Sequence, residues 1–417
     1  MRTSSNFNEE ILEVKIEKIV PNGFGLAFAK NLTIFVSLAA AGDKLRVKIR
    51  EKKGKIAFAE IVEILEPSSD RSEPRCVYFG GCGGCDFQQM SYAAQLEAKA
   101  GIIRDCLTRI GKIEYEGEIP IIGSKPYGYR SRAAWHADTR RKRIGYFKRN
   151  SHEIIDVETC PILTPELQKA LTGLRENIDW TSFWSEIVEV EAANSGEQIS
   201  IYSNEINEPT REISFTAFGE RYFYDADSFF QGNQFLIEPL IDAATKDAKG
   251  ETALDLYCGA GLFTLPLARK FQNVVGVEGN EKAVEFAKKN LENAGIANAE
   301  IYTENVDEWL SANSSEFHLQ MAETSKDGTQ NAGTRNRVDF VLLDPPRAGT
   351  QKSTIENLLK IKPREISYVS CEPSLLSRDL RVLCESEYRI ESITALDLFP
   401  QTHHVETVVR LKLRAPL

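Results

Sequence analysis

Residues 8–65 alternate apolar and polar positions in short runs broken by glycine. In the opening run, EILEVKIEKIV, the apolar set is Ile11, Val14, Ile16 and Ile19. Side chains that alternate between two faces belong to strands, and several short strands with Gly and Pro turns predict a small closed barrel. Residues 66–74, EPSSDRSEP, are charged and rich in Pro and Ser, the pattern of a linker. The segment MSYAAQLEAKAGIIRDCLTRIG then spaces its apolar residues as an amphipathic helix closed by glycine. Residues 120–225 mix strand and helix patterns. From about residue 250, apolar strands alternate with helices, as in TALDLYCGAGLFTLPLARKF and VDFVLLDPPRAG. That order predicts a parallel, doubly wound sheet. Residues 311–337 are polar and rich in Gly, Ser and Asn, which predicts a mobile surface insertion. No internal repeat is present.

A chain of 417 residues with 42% hydrophobic content suggests two or three ordinary globular domains. No eighteen-residue apolar run occurs and the N-terminal stretch has no apolar signal region, so a cytoplasmic location is expected. Eight cysteines in that compartment point to reduced thiols, metal ligands or catalysts rather than disulfides. The net charge of −10 speaks against a nucleic-acid partner for the chain as a whole, but phosphate is bound by a local patch. Residues 125–149 form such a patch, with nine Lys/Arg against one Asp and with Tyr127, Tyr129, Trp135, Tyr146 and Phe147 interleaved. Cations for phosphate and rings for base stacking describe an RNA surface; a merely solvated basic hairpin is the plain alternative.

LDLYCGAGLFTL reads as a strand, a glycine turn and a helix. Gly259 and Gly261 permit close backbone approach to a ligand at the helix N-terminus. Phe263 and Thr264 stand near the place of the third glycine of a dinucleotide fingerprint, which argues against a pyrophosphate. The next strand ends in Glu278, positioned to accept hydrogen bonds from two ribose hydroxyls. S-adenosylmethionine has a ribose and no phosphate, so it fits better than NAD. A third strand ends in Asp344, before two prolines that stiffen the following loop.

With these motifs in hand, residues 226–417 resemble a class I methyltransferase, and in detail the RNA uracil-C5 methyltransferase family. The matching blocks are FFQGN (229–233), DLYCGAGLF (255–263), VEGN (277–280), YTENV (302–306), LLDPPRAG (342–349), SCEPSLLSRDL (370–380) and PQTHHVETV (400–408). The resemblance implies cofactor contacts from Gln231, Tyr257, Glu278, Asn305 and Asp344. At Leu262, where many members carry a polar residue, the chain departs from the pattern. The resemblance also implies three domains: a TRAM-like OB barrel over 1–66, an iron–sulfur and RNA-binding domain over 67–225, and the methyltransferase domain over 226–417.

The chemistry asks for two further groups. Uracil C5 is a poor nucleophile until a thiolate adds to C6 and leaves an enolate; a base must then remove the C5 proton. Cys371, just after a strand-like run, and Glu406, in an apolar setting that raises its pKa, suit these roles, and the resemblance assigns Cys371 as nucleophile and Glu406 as proton acceptor. Cys106, Cys258 and Cys384 read as packing residues. Cys76, Cys82 and Cys85 crowd one glycine-rich loop, C-x5-C-x2-C, and Cys160 follows later in a Cys-Pro pair. Four thiolates hold zinc or an iron–sulfur cluster; three on one loop and a distant fourth favour a [4Fe–4S] cluster over zinc, and many members of the resembled family carry one. The expected protein is a monomeric enzyme making 5-methyluridine in RNA, most like the 23S rRNA branch. The T-loop uridine of tRNA and a non-catalytic RNA-binding or assembly factor are the alternatives. Cytosine-C5 enzymes differ in showing a Pro-Cys nucleophile, and amine methylases in placing an aromatic residue where this chain has Arg347.

Overall fold

The computed structural model describes residues 10–205, 210–322 and 338–414. Strands β1 (Ile11–Lys15), β2 (Lys18–Val20), β3 (Phe24–Ala29), β4 (Leu32–Val36), β5 (Lys44–Lys53) and β6 (Ile56–Glu66) form a sheet in the order β1-β5-β6-β4-β3-β2. Its two ends, β1 and β2, are halves of one chain segment interrupted at Ile16 and Glu17, so the sheet curls back on itself. The Ile16 N–H donates to Asp43 O on one side and the Glu17 N–H to Leu26 O on the other, at 2.9 and 2.8 Å. Alternate positions fill the interior: Leu12, Val14 and Ile16 meet Ile34, Val36, Leu45 and Val47. Ile11, expected in the apolar set, is 52% exposed, because a strict repeat of two counts back from Val14 to Leu12. The expected linker is fastened down: the Ser68 N–H and Arg71 Nε each donate to the buried Asp43 carboxylate at 2.9 Å.

Helix α1 (Tyr92–Cys106) begins with the Ser91 hydroxyl accepting the Ala94 N–H. After the short strand β7 (Ile121–Ile122) come β8 (Arg132–Asp138), β9 (Arg143–Phe147), β10 (Ile154–Asp156), α2 (Pro165–Asn177), β11 (Ile187–Ser195) and β12 (Gln198–Tyr202). These strands form an antiparallel sheet, β10-β9-β8-β11-β12, and Leu167 and Leu171 of α2 cover Trp135, Val188 and Val190 on it. Strands β13 (Ile213–Ala217) and β14 (Glu220–Tyr224) pair as a hairpin.

The remaining elements are α3 (Ile237–Thr245), β15 (Gly250–Leu256), α4 (Thr264–Ala268), β16 (Phe271–Glu278), α5 (Glu281–Asn293), β17 (Ala299–Thr303), α6 (Val306–Ala322), β18 (Phe340–Leu343), α7 (Lys352–Ile361), β19 (Glu365–Ser370), α8 (Pro373–Ser386), β20 (Tyr388–Leu396) and β21 (Glu406–Leu413). They build an eight-stranded sheet, β17-β16-β15-β18-β19-β21-β20-β7. Strands buried on both faces feed two cores. Ala253, Phe340, Leu342 and Val369 face α3, α4 and α5; Leu254, Leu256, Val341, Leu343 and Tyr368 face α6, α7, α8 and α1. The sheet is mixed rather than parallel throughout: β21 runs antiparallel to both β19 and β20. The connection from β20 to β21, residues 397–405, is shorter than the dozen or so residues a parallel crossover needs.

Part of the expected insertion is helix. Helix α6 runs to Ala322, with Trp309, Leu310 and Ser314 buried and the Asp307 carboxylate accepting the Ser353 hydroxyl at 2.9 Å. Residues 323–337 lie outside the described residues.

Candidate active site and cysteine cavity

The carboxyl ends of the parallel strands β15, β16, β17 and β18 lie along one edge of the sheet, the edge at which open α/β sheets bind ligands. The glycine turn after β15 crosses the tip of β16, where Tyr257 and Cys258 N–H both donate to Val277 O at 2.9 and 3.1 Å. Tyr257, Gly259 and Gly261 all have positive φ, 64°, 54° and 83°. A Cβ on Gly259 would meet nothing within 4 Å, so this backbone borders open space; one on Gly261 would lie 3.5 Å from Ala287 of α5. Glu278 holds the turn: its carboxylate accepts the Gly259 N–H at 3.0 Å and the Asn280 N–H at 2.8 Å. Each oxygen keeps a second lone pair for a ligand hydroxyl.

Asp255, Glu278 and Asp344 gather acidic charge at this edge. Burial, opposed by the Thr264 hydroxyl and assisted by Glu278, pushes Asp255 up to about 7. Burial, then the Asp255 and Glu278 charges, raise Asp344 likewise. A crevice of carboxylates that repel each other is relieved by a cationic ligand. Gln231 is buried in the loop before α3, beside Phe230, which stacks on Tyr224 at 4.1 Å. Asn305, expected at the cofactor, is exposed after β17, and its side-chain oxygen accepts the Asp307 N–H at 2.9 Å at the start of α6.

Cys371 and Glu406 come from adjacent antiparallel strands. The β19–β21 register pairs Tyr368 with Val409, Val369 with Val408 and Ser370 with Thr407. Cys371 directly follows Ser370 and Glu406 directly precedes Thr407, so the two stand at the same end of this ladder. Cys371 leaves the strand just before α8, whose first turn is closed by the Glu372 carboxylate accepting the Ser374 N–H at 3.4 Å. Burial, then the Glu406 charge, pushes the Cys371 thiol up to about 12, while Arg347 pulls it down. Burial, then Asp344, holds the Glu406 carboxyl well above its ordinary value, and Arg347 again opposes the shift. Arg347, read from sequence only as a residue after two prolines, thus serves both groups from the loop after β18. Its guanidinium also sits 6.0 Å over the Phe399 ring. No local pattern marks it, because the groups its charge acts on lie far along the chain, at residues 371 and 406.

Cys76, Cys82, Cys85 and Cys160 line a single cavity of about 110 Å³, together with Tyr78, Gln88, Arg130 and Tyr146. Burial raises the thiols of Cys82 and Cys160 and pushes Cys85 up to about 12. Among the described residues, no three His, Cys, Asp or Glu side chains converge on one point as a single metal ion requires. Cys106 and Cys258 are buried and Cys384 half-buried, consistent with packing.

The basic segment divides in two. Arg140, Arg141, Lys142 and Arg143 are exposed at the turn between β8 and β9. Tyr129 and Trp135 are core residues, 2% and 0% exposed, so they offer no face to a base; strand alternation turns Trp135 of β8 inward, and Tyr129, in the loop before it, donates its N–H to Ile162 O at 3.0 Å. Arg132 is likewise spent inside, donating to the carbonyls of Asp225 and Ala226 at 3.1 and 2.8 Å. None of the described helices is long and apolar enough to cross a membrane.

This arrangement has counterparts in known proteins. The family model described as tRNA (Uracil-5-)-methyltransferase matches residues 161–414. The 23S rRNA (uracil(1939)-C(5))-methyltransferase of Mannheimia succiniciproducens is 31% identical, over 95% of this chain and 94% of its own length. That of Klebsiella pneumoniae subsp. pneumoniae is also 31% identical, over 97% and 96%. Among solved structures, the tRNA (uracil-54, C5)-methyltransferase of Pyrococcus abyssi in complex with S-adenosyl-L-homocysteine superposes with a TM-score of 0.71 at 25% identity, covering 96% of this chain and 99% of that one. With a family model over more than half of its length and relatives of this identity along nearly all of it, the chain belongs to the tRNA (uracil-5-)-methyltransferase family.

Proposed function

We propose that this protein transfers a methyl group from S-adenosylmethionine to C5 of a uridine in RNA, through a covalent bond between Cys371 and C6. The observation that supports the reading is the β19–β21 register, which brings Cys371 and Glu406 to the same end of one strand pair, where the charge of Glu406 acts on the Cys371 thiol. Glu278 and Asp344, with the Tyr257–Gly261 turn and Gln231, hold the cofactor; Asn305 contributes from the rim. S-adenosylmethionine supplies the methyl carbon and a positive charge that suits the three carboxylates.

The protein's own groups do the rest. Cys371 adds as thiolate to C6, and the π pair of the C5=C6 double bond moves to C5, where it takes the methyl, with S-adenosylhomocysteine leaving on the electrons of the broken carbon–sulfur bond. Glu406 accepts the C5 proton, and the electrons of that C–H bond re-form the C5–C6 bond and expel the thiolate. A carboxylate whose pKa is raised by burial is the stronger base once ionised. The target uridine reaches the thiol only out of its stack, at a cost of roughly a few kcal/mol. The exposed cations at 140–143 bind phosphate, and the N-terminal barrel serves as a TRAM-like RNA module.

Cys76, Cys82, Cys85 and Cys160 would hold a [4Fe–4S] cluster. A single zinc ion needs four thiolates about 2.3 Å from one point; a cluster takes each on its own iron, which suits four thiols spread around one cavity. The methyl-transfer scheme requires no electron, so the cluster's role is structural or RNA-positioning.

23S rRNA is the preferred substrate, supported by the relatives at 31% identity; the tRNA T-loop is the second reading, supported by the Pyrococcus structure. Methyl-labelled cofactor, offered with each RNA in turn, should yield 5-methyluridine on digestion of one of them. Label in another base, or transfer undiminished in Cys371→Ala, refutes the proposal.

A further inference from the structure

Residues 397–405 join β20 to β21 and end at Glu406. Much of what holds this connection comes from far earlier in the chain. The N–H groups of Asp86 and Phe87 both donate to Gln401 O at 3.0 Å. Asp86 also receives the His403 N–H at 2.8 Å and meets the His403 ring nitrogen Nδ1. Gln95 of α1 forms a reciprocal pair with Gln401, donating to its side-chain oxygen and accepting its N–H, each at 3.0 Å. Lys99, one turn further along α1, forms an ion pair with Asp397 in which both side chains are fully buried, and donates to Phe399 O at 3.0 Å. Tyr129 Oη donates to Pro400 O at 2.9 Å. At the centre, Gln401 is 2% exposed and has φ of 68°, a left-handed conformation for a residue other than glycine. Such a conformation persists only where its surroundings over-determine it.

We infer that Asp86, Gln95 and Lys99 are positioning residues for Glu406: they clamp the strained 397–405 connection so that the Glu406 carboxyl stays at the C5 proton. The inference rests on the assignment of Glu406 as proton acceptor. It gives the cysteine loop a mechanical link to the active site, because Asp86 directly follows Cys85. The clamp should act chiefly on proton removal. Cysteine addition and methyl transfer draw on β19 and the cofactor crevice, whereas proton removal draws on β21.

The test uses the full-length protein with methyl-labelled cofactor and labelled RNA. Glu406→Gln should accumulate a covalent protein–RNA adduct that carries the methyl group and survives denaturing electrophoresis. Asp86→Ala and Gln95→Ala should accumulate the same adduct, with kcat lowered about ten- to a hundredfold, as expected for a base displaced by an ångström or so. Cofactor affinity, KM for RNA and iron and sulfide content should stay at wild-type values. Asp86→Asn, which keeps the acceptor for the His403 N–H, should restore kcat. The inference falls if Glu406→Gln accumulates the adduct while both alanine variants lose rate without it, or lose no rate. If Glu406→Gln itself turns over without an adduct, the assignment of Glu406 fails, and the inference with it.

Discussion

The Cys371 thiol offers a measurement of the resting site that needs no substrate. Burial and the neighbouring Glu406 carboxyl push it from 9.0 to about 12. Three pKa units correspond to about 4 kcal/mol against the thiolate. At pH 8 an ordinary thiol of that starting value is about 10% ionised, and Cys371 about one part in ten thousand, by the same proton equilibrium. Alkylation by iodoacetamide, followed by mass spectrometry of the peptide containing Cys371, should therefore run about a thousandfold slower than that of a free thiol standard. Because the shift is upward, the rate should climb about tenfold per pH unit across the whole range from 7 to 10, with no plateau. Glu406→Gln removes the largest charge raising the thiol and should speed the reaction at fixed pH; Arg347→Gln removes the one charge lowering it and should slow it. A rate that levels off near pH 9, or that is unaffected by Glu406→Gln, would show the thiol to be solvated and unlinked to that carboxyl. Cys371 would then ionise as an ordinary thiol, and its link to Glu406 would fail.

Neutralising Arg140, Arg141, Lys142 and Arg143 should weaken RNA binding and reduce the slope of log affinity against log salt by about 0.7–0.9 per lost phosphate contact, with cofactor binding untouched; an unchanged slope in a salt titration would mean a solvated turn. Protein purified without air should be brown and contain iron and sulfide, and should bleach in oxygen; metal analysis giving zinc alone would refute the cluster. Asp255, raised from 3.8 to about 7, binds a proton in the folded state that the unfolded chain has released, so wild-type stability should fall as pH rises through that window. Asp255→Asn lacks this penalty, and its stability relative to wild type should rise by about 2–3 kcal/mol between pH 5 and pH 8 in urea titrations; a pH-independent difference would place the group in solvent.

Local pattern alone determined much of this protein. A repeat of two places Leu12, Val14 and Ile16 inside the first sheet, and a glycine turn between the apolar strand Leu254–Leu256 and a helix marks the crevice without any view of the fold. Cys371 and Glu406 were nominated for the proposed chemistry by a thiol leaving a strand, a carboxyl in an apolar run and the family resemblance together. Their proximity was not legible along the chain. It depends on β21 inserting antiparallel between β19 and β20, a consequence of a short connection and of hydrogen bonds that no single segment contains. The same limit explains why Tyr129 and Trp135 read as RNA-facing rings: composition counts aromatics, but the pleat of β8 turns Trp135 inward and tertiary packing against the 397–405 connection buries Tyr129. It explains the pairing of β7, from the middle of the chain, with β20 of the last sheet. And it explains Asp86, Gln95 and Lys99, whose partners stand about three hundred residues away and whose alignment exists only once α1 has packed beside the strand that leads to Glu406.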